Sequence, residues 1–523
     1  METLTLKDEL LNYKSNDNLI LLSKIINSKH LKIYPRSIFE HNQILFFIAK
    51  EDKNKNLYLL YEKKCESVAS QFKGSNFSLT DTEDLNIKRC VLNTANRKAL
   101  QKHFDFTNPK CIGLANSFGF GDRIGLANAA HIRSLDKSKF KPVLAQQSIR
   151  ELTRTNRTPA EVIDAAVWSV FQEGYTTGFG TDADHIKTTA DIDLMVENGF
   201  KLFTFDPGEY VHNEADSLNE QQLDDEIQKM NWNGLFTNYS FLEETFLNKK
   251  FHITADLELS VNKIALKRAI LKYGDALSHI KKMYDHLRTN YQSYESEVEV
   301  SVDETESVTS PFEHFFIVKE LNRLGIEMIS LAPRFVGDFE KGIDYKGDLN
   351  LFKEEYLKHL AISKYFGNYK ISLHSGSDKF SIYKVIGEIN NGFIHVKTAG
   401  TSYLEALKVV AMIEPKLFRE ILDFSTALFE SEKKSYHVSA DVTRLKSAAQ
   451  YSDEELIELF TNIDCRQVLH VTFGRVLTDK NENRDFIFKD KILELLKNNE
   501  ETHYEIIIAH FKKHLNPFGI VQN

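Results

Sequence analysis

Cysteine is scarce in this chain of 523 residues. Cys65, Cys90, Cys111 and Cys465 are all there are, far apart and without a CxxC pair. That spacing argues against a disulfide framework or a cysteine-based zinc site and reads as buried thiols of a reduced compartment. No run approaches the roughly 20 apolar residues of a membrane span. Met1–Tyr13 mixes charges with leucines and lacks the apolar core and cleavage site of a secretion signal. The cytoplasm is therefore the expected location, with no membrane partner. Positive charge is in deficit, with 66 Lys and Arg against 75 Asp and Glu and a net charge of -9. Without a basic stripe interleaved with aromatics, no nucleic-acid partner is expected. The glycine-rich stretch Phe118-Gly119-Phe120-Gly121-Asp122-Arg123 matches neither GxGxxG nor a P-loop, so no nucleotide is placed there. Internal repeats are absent, and the one biased patch is the Ser/Glu-rich Ser293–Ser307.

What is present is a repeated strand–loop–helix pattern. Residues 1–108 read as a small mixed α/β domain, with short apolar runs such as Leu19–Leu22 and Ile44–Ala49 and no visible chemistry. Asn108-Pro109 marks a boundary. Strands are then predicted at Cys111–Asn116, Lys141–Ala145, Ala183–Ile186, Leu202–Phe205, Glu297–Val302, Glu327–Leu331, Lys370–Leu373 and Phe393–Val396. Helices are predicted between them, among others at Pro159–Glu173, Glu313–Leu324 and Leu351–Phe366. Ser310-Pro311 is a helix start and Gly325 a helix stop. Alternation of this kind argues for βα units and a parallel sheet. Eight candidate strands predict an α/β fold of the closed (β/α)8, TIM-like type over 109–400. A helical insertion is expected at about 207–294, with one long amphipathic helix over Asn262–Leu287, and 401–523 is expected to be mainly helical and packed on the barrel.

The chemistry-bearing residues cluster at the strand ends. Thr181-Asp182-Ala183-Asp184-His185-Ile186-Lys187 closes the third strand and sets a carboxylate beside an imidazole. Neighbours on a strand point to opposite faces, but where the chain turns both can be swung towards one cavity. That suits a proton-transfer group, Asp184, beside a divalent-metal ligand, His185. The fifth strand alternates strictly: Val298, Val300 and Val302 on one face, Glu297, Glu299, Ser301 and Asp303 on the other. If the valines meet the outer helices, carboxylates face the interior, which costs several kcal/mol unless they are paired or bound to metal. Glu299 is therefore a second acid/base candidate. The seventh strand ends in His374-Ser375-Gly376-Ser377-Asp378, a possible ligand followed by a small-residue turn. The eighth carries His395 and Lys397 on one face. His185, His374 and His395 together form a candidate three-ligand site with open positions. Lys187, Arg334 and Lys397 are candidates for a substrate carboxylate, and Gln146, Gln147 and Asp378 for the rest of the substrate. Nothing in the sequence places His437, Arg466 or His470.

Seven segments in order then carry a resemblance: GFGDRIG (119–125), LAQQSIRE (144–151), FGTDADHIK (179–187), EVSVDETE (299–306), KISLHSGSDKFS (370–381), HVKTAGTSYLEA (395–406) and SYHVSAD (435–441). From about residue 110 onwards the chain resembles the tagaturonate epimerase family. The resemblance implies interconversion of D-tagaturonate and D-fructuronate with a divalent cation (Mn, Ni, Co or Zn) in hexuronate breakdown. The DH pair and the HSGS turn also resemble, more weakly, the metal-dependent class II aldolases, in which such a pair supplies the acid/base and a ligand. No histidine matches their further ligand at the sixth strand end, so the third ligand stays open between His395, Glu340 and Glu299. The two ketouronates differ at C4, β to the C2 ketone, where the proton is not acidic. Breaking and re-forming the C3–C4 bond is the expected route, with Asp184 and Glu299 moving protons. Runner-up readings are an aldolase or ketose isomerase on the same barrel, or an inactive sugar-acid-binding protein. The expected partner is a small sugar acid; no pattern specifies the assembly state.

Overall fold

The computed structural model describes residue 10 and residues 31–78 and 85–519; the Leu19–Leu22 run lies outside the described residues. Eight parallel strands close a barrel: β1 (Ser117–Phe120), β2 (Lys141–Ser148), β3 (Gly180–Ile186), β4 (Leu202–Phe205), β5 (Glu297–Val302), β6 (Ser330–Pro333), β7 (Lys370–Leu373) and β8 (Ile394–Thr398). They pair in chain order, and β8 returns to β1 through His395–Ser117 to Thr398–Phe120. The α/β barrel expected from the alternation is the fold observed. β4, β5 and β7 have the predicted bounds.

Two strands lie elsewhere than predicted. The first is Ser117–Phe120, not Cys111–Asn116. The apolar 111–116 stretch leads in across the barrel floor, where the backbone N–H groups of Ile112 and Gly113 donate to the Glu297 carboxylate. Its glycine-rich successor reads poorly as a strand, yet β1 runs through Gly119, with the Gln146 side chain packed against it. A Cβ there would lie 1.7 Å from Gln146 Oε1. The sixth strand begins at Ser330 and ends on Pro333, about three residues late.

The helices obey their capping chemistry. Pro159–Gln172 starts on a Thr158/Glu161 capping box with proline in its first turn, and Pro311–Arg323 on Ser310/Glu313. The insertion between β4 and β5 contains short helices, a two-residue β-ladder and the helix Lys263–Asn290, capped by Asn262. Residues 31–78 and 85–91 contribute an antiparallel sheet whose central strands, Ile44–Glu51 and Asn54–Glu62, bury both faces. One face packs on Trp168 and Phe171 of the barrel helix. After β8 the chain is helical. Glu500–Leu515 lies on Asn128–Ser134 and Thr401–Ile413, so the end of the chain braces the start of the barrel. No helix among the described residues is long and apolar enough to cross a membrane.

Barrel interiors are commonly filled by layers of Val, Ile and Leu. Here the valines of β5 join the apolar layer under the helices, and the interior is polar. Its floor holds Ser117, Lys370 and His395. Above them lie Asp182, Thr204, Glu299 and Lys397. Such a stack is costly to bury unless every member is paired, so the barrel's axis is where function is to be sought.

Candidate active site

At the C-terminal ends of the strands a cavity of about 200 Å³ opens. Its base is made by Asp184, His185, Asp303, His374 and Lys397. A β-bulge builds the first pair. Phe203 pairs with Ala183 but Phe205 with Ile186, so Asp184 and His185 together oppose Thr204. His185 adopts φ 48, a left-handed conformation that non-glycine residues rarely take. This kink turns both side chains to the same cavity. A second bulge, with Ala145 at φ 56, aims Gln146 into it from β2.

Ligand atoms of His185, Asp303 and His374 all lie within 4.8 Å of one another. Asp303 Oδ1 is 3.1 Å from His374 Nδ1 and 3.8 Å from His185 Nε2. The far nitrogen of each ring is held by another carboxylate: His185 Nδ1 by Asp184 at 2.8 Å and His374 Nε2 by Glu299 at 2.7 Å. A metal-ligating histidine characteristically gives its other N–H to a carboxylate, which fixes the tautomer and ring orientation. The donor set, two imidazoles and one carboxylate each held from behind, fits a divalent cation of the Mn–Zn series.

Charge makes the same point. Asp182, Asp184 and Glu299 all meet Lys397 Nζ, at 2.8, 2.9 and 2.8 Å, and Asp303 adds a fourth carboxylate nearby. Burial and its carboxylate neighbours Asp184 and Glu299 raise Asp182 to about 6, against the pull of Lys397. Burial opposes ionisation of Asp184 and Glu299 as well. His185 and Lys397 nonetheless hold Asp184, and Lys397 and His374 hold Glu299, well below the usual carboxylate range. Against burial, Asp184 and Asp303 lift His185 far above its ordinary value.

The residues singled out in the sequence divide into two groups. Asp184, His185, His374, Lys397, Gln146 and Arg334 line the cavity. The others do not. Glu299 lies beneath it, fully buried, taking hydrogen bonds from Ser330 and Thr204. His395 is one layer lower on β8, its Nδ1 on Ser117 Oγ at 2.9 Å, and burial drops it to about 3; it does not join the cluster of ligand atoms. Glu340 is occupied by Lys346, Ser439 and Gln467. Gln147 donates to the Asp122 carbonyl. Lys187 pairs with Asp206 and Glu209. Asp378 anchors the turn after β7 to the C-terminal helices through Arg466, at 2.7 Å, and His510, at 2.8 Å.

Asp303 was legible as the last member of the β5 polar face, but not as a ligand. Arg123, Arg150 and Lys341 also line the cavity, and the C-terminal region adds Tyr436, His437 and His470. Arg123 is tied to Glu151. Arg150 lies over the Tyr436 ring. Arg334 reaches only the Asp303 carbonyl, at 3.4 Å. Among the described residues neither Arg150 nor Arg334 has a carboxylate partner, which leaves two guanidinium forks at the rim for an incoming anion.

Residues 34–518 match the tagaturonate epimerase family. The chain is 41% identical over 485 residues to the tagaturonate/fructuronate epimerase of Thermotoga maritima, covering 93% of this chain and 96% of that protein. Among solved structures it is similar to the glycerol-complexed fructuronate-tagaturonate epimerase UxaE of Cohnella laeviribosi. That match has a TM-score of 0.88 and 34% identity over 96% of this chain and 99% of the other. The native crystal form of the same enzyme matches with a TM-score of 0.87. With a match that runs through the barrel, its insertion and the C-terminal helices alike, this chain belongs to the tagaturonate epimerase family.

Proposed function

We propose that this chain interconverts D-tagaturonate and D-fructuronate at C4 by retro-aldol cleavage and re-addition. The observation that carries this reading is the content of one cavity: a donor set for a cation, an anionic carboxylate beside it, and two guanidiniums without carboxylate partners at the rim. His185, Asp303 and His374 would hold a divalent cation, which would supply Lewis-acid stabilisation of negative charge on the keto fragment. Arg150 and Arg334 hold the substrate carboxylate, and keep the aldehyde fragment in place while it is detached. Asp184 takes the C4 hydroxyl proton. The C3–C4 bond breaks, its electron pair passes into the C2 carbonyl system, and C4 becomes an aldehyde. Rotation of that aldehyde presents its other face, C3 adds to it, and the new C4 oxygen takes up a proton. Lys397 keeps Asp184 anionic and aimed at the cavity, while Glu299 orients His374 rather than touching substrate.

Incubation with fructuronate and NMR analysis of the products tests the reading. The C4 epimer is expected. Three-carbon fragments would indicate an aldolase, an aldose product an isomerase, and tight binding without turnover an inactive binder. Chelation with EDTA, with loss of the ion verified, is expected to abolish turnover, and one of Mn, Ni, Co or Zn to restore it. Full activity in the verified metal-free protein would overturn the assignment of a cation to His185, Asp303 and His374.

A further inference from the structure

Epimerisation by this route needs two proton-transfer groups, because the C4 oxygen sits on different sides before and after the aldehyde turns. Asp184 supplies one, and Glu299 is buried under the cavity floor. We propose that Lys341 is the second, delivering the proton to the C4 oxygen from the wall opposite Asp184. The inference rests on the retro-aldol reading above.

Lys341 belongs to the loop that leaves β6, which stands three places from β3 in the eight-strand ring. Asp184 and Lys341 therefore approach the cavity from nearly opposite walls. The loop is fastened on both sides of the residue. Glu340 takes hydrogen bonds from Lys346, Ser439 and Gln467. Buried Lys379 donates to the carbonyls of Glu340 and Ile343, and Gln467 donates to the carbonyl of Lys341 itself. A backbone held this way leaves the amine as the moving part. Nζ donates to Ser375 Oγ at 2.6 Å, one residue past the ligand His374.

The other cations of the cavity wall are committed or cannot titrate. Lys397 is surrounded by three carboxylates. Arg123 is paired with Glu151, and a guanidinium does not release its proton in this pH range. Lys341 alone among the described lining residues is an amine with no carboxylate within 4 Å. Burial and the facing Arg150 push this amine below the usual lysine range, while Glu304, Asp303 and Glu151 oppose them. His470 and Lys379 face it from the C-terminal helices and the loop after β7. An amine so poised can give up and regain a proton within a turnover. The proton balance closes. Asp184 gains the proton of the old C4 hydroxyl, Lys341 ammonium gives one to the new C4 alkoxide, and exchange with solvent resets the pair.

The experiment compares the metal-replete wild type with Lys341→Met, Lys341→Arg and Lys341→Ala, using fructuronate over a pH series. Each variant is expected to lose at least about 100-fold in kcat with KM within about threefold of wild type, the pattern of an interaction made only in the transition state. The alkaline limb of the wild-type kcat profile should vanish in all three. Methylamine should raise the rate of Lys341→Ala in a saturable way, which a merely structural role would not produce. Raised KM with preserved kcat would make Lys341 a carboxylate binder and overturn the proposal, as would near-normal kcat in Lys341→Arg. Should Lys341→Met fail to fold, the arginine variant and amine rescue still decide. A wild type that leaves fructuronate unchanged overturns the underlying functional reading instead, and this inference with it.

Discussion

Asp303 stands at the rim of the cavity, its carboxylate within ligand reach of His185 and His374. The alternation of β5 puts Glu297, Glu299, Ser301 and Asp303 on one face, and that face does point inwards. Depth along the face is not written in the alternation, because it depends on how far neighbouring strands are staggered when the barrel closes. The stagger puts Glu297 at the floor, Glu299 in the middle and Asp303 at the rim beside His185 and His374. His395 lies one layer below Lys397 because it precedes it by two residues on the same strand. The side-by-side Asp184 and His185 were legible for a local reason, since a strand end can bulge. Two substitutions separate the levels. Asp303→Ala should weaken binding of Mn2+ by at least about 100-fold. Glu299→Gln, which removes the charge under the site that holds both His374 and Lys397, should cost about 10- to 100-fold. Calorimetric titration with Mn2+ checks both. Equal affinities in wild type and Asp303→Ala would remove Asp303 from the ligand set. Asp184 backs His185 as Glu299 backs His374. Asp184→Asn should therefore lose a similar factor of about 10- to 100-fold in metal affinity and, even at saturating metal, at least about 100-fold in kcat, read from fructuronate turnover.

At the scale of elements, the turn after β7 carries most of the consequence. Ser375 and Asp378 both have positive φ, at 51 and 63, conformations that persist only when the surroundings enforce them. The enforcement comes from the C-terminal helices. Arg466 pairs with Asp378, His514 accepts from the Asp378 N–H, and His510 bridges Asp378 and Glu405. Sequence patterning finds the strand and its HSGS turn, since both are local, and finds nothing of the partners some 90 to 140 residues away. The glycine-rich β1 escaped for the opposite reason. Its strand character comes from pairing with β2 and β8 on either side, and no apolar run advertises it. Arg466→Met leaves the buried Asp378 carboxylate to His510 and Thr401 and should destabilise the protein by up to about 3–5 kcal/mol, measured by urea unfolding. It should also loosen His374 and weaken metal binding, although Arg466 touches neither metal ligand nor substrate. An unchanged unfolding midpoint would show that the histidines alone hold the turn.

Across the whole molecule the barrel is clasped between the N-terminal sheet and the last helix, and Glu500 is the fastening point. It accepts from Tyr34 Oη at 2.8 Å and meets Lys55 at 3.1 Å and Lys50 at 3.3 Å, all three from the sheet. No described residue of that sheet lines the cavity; its contacts are with the Pro159–Gln172 and Glu500–Leu515 helices. Burial works against its ionisation, but Lys55, Tyr34 and Lys50 bring the Glu500 carboxyl down to about 2. A carboxyl depressed on folding stabilises the native state above its unfolded value of about 4.3. That contribution is lost as pH falls through the folded value, because the unfolded chain then binds more protons. The expected contribution is on the order of 3 kcal/mol at pH 7, declining from about pH 5 downwards and nearly gone by pH 2. Urea unfolding of wild type and Glu500→Gln across that range measures it. The gap between the two proteins should be widest at neutral pH and close as Glu500 protonates. A gap that stays constant from pH 7 to pH 3 would mean that the clasp is held by shape and apolar packing, with the carboxylate contributing no charge-dependent stability.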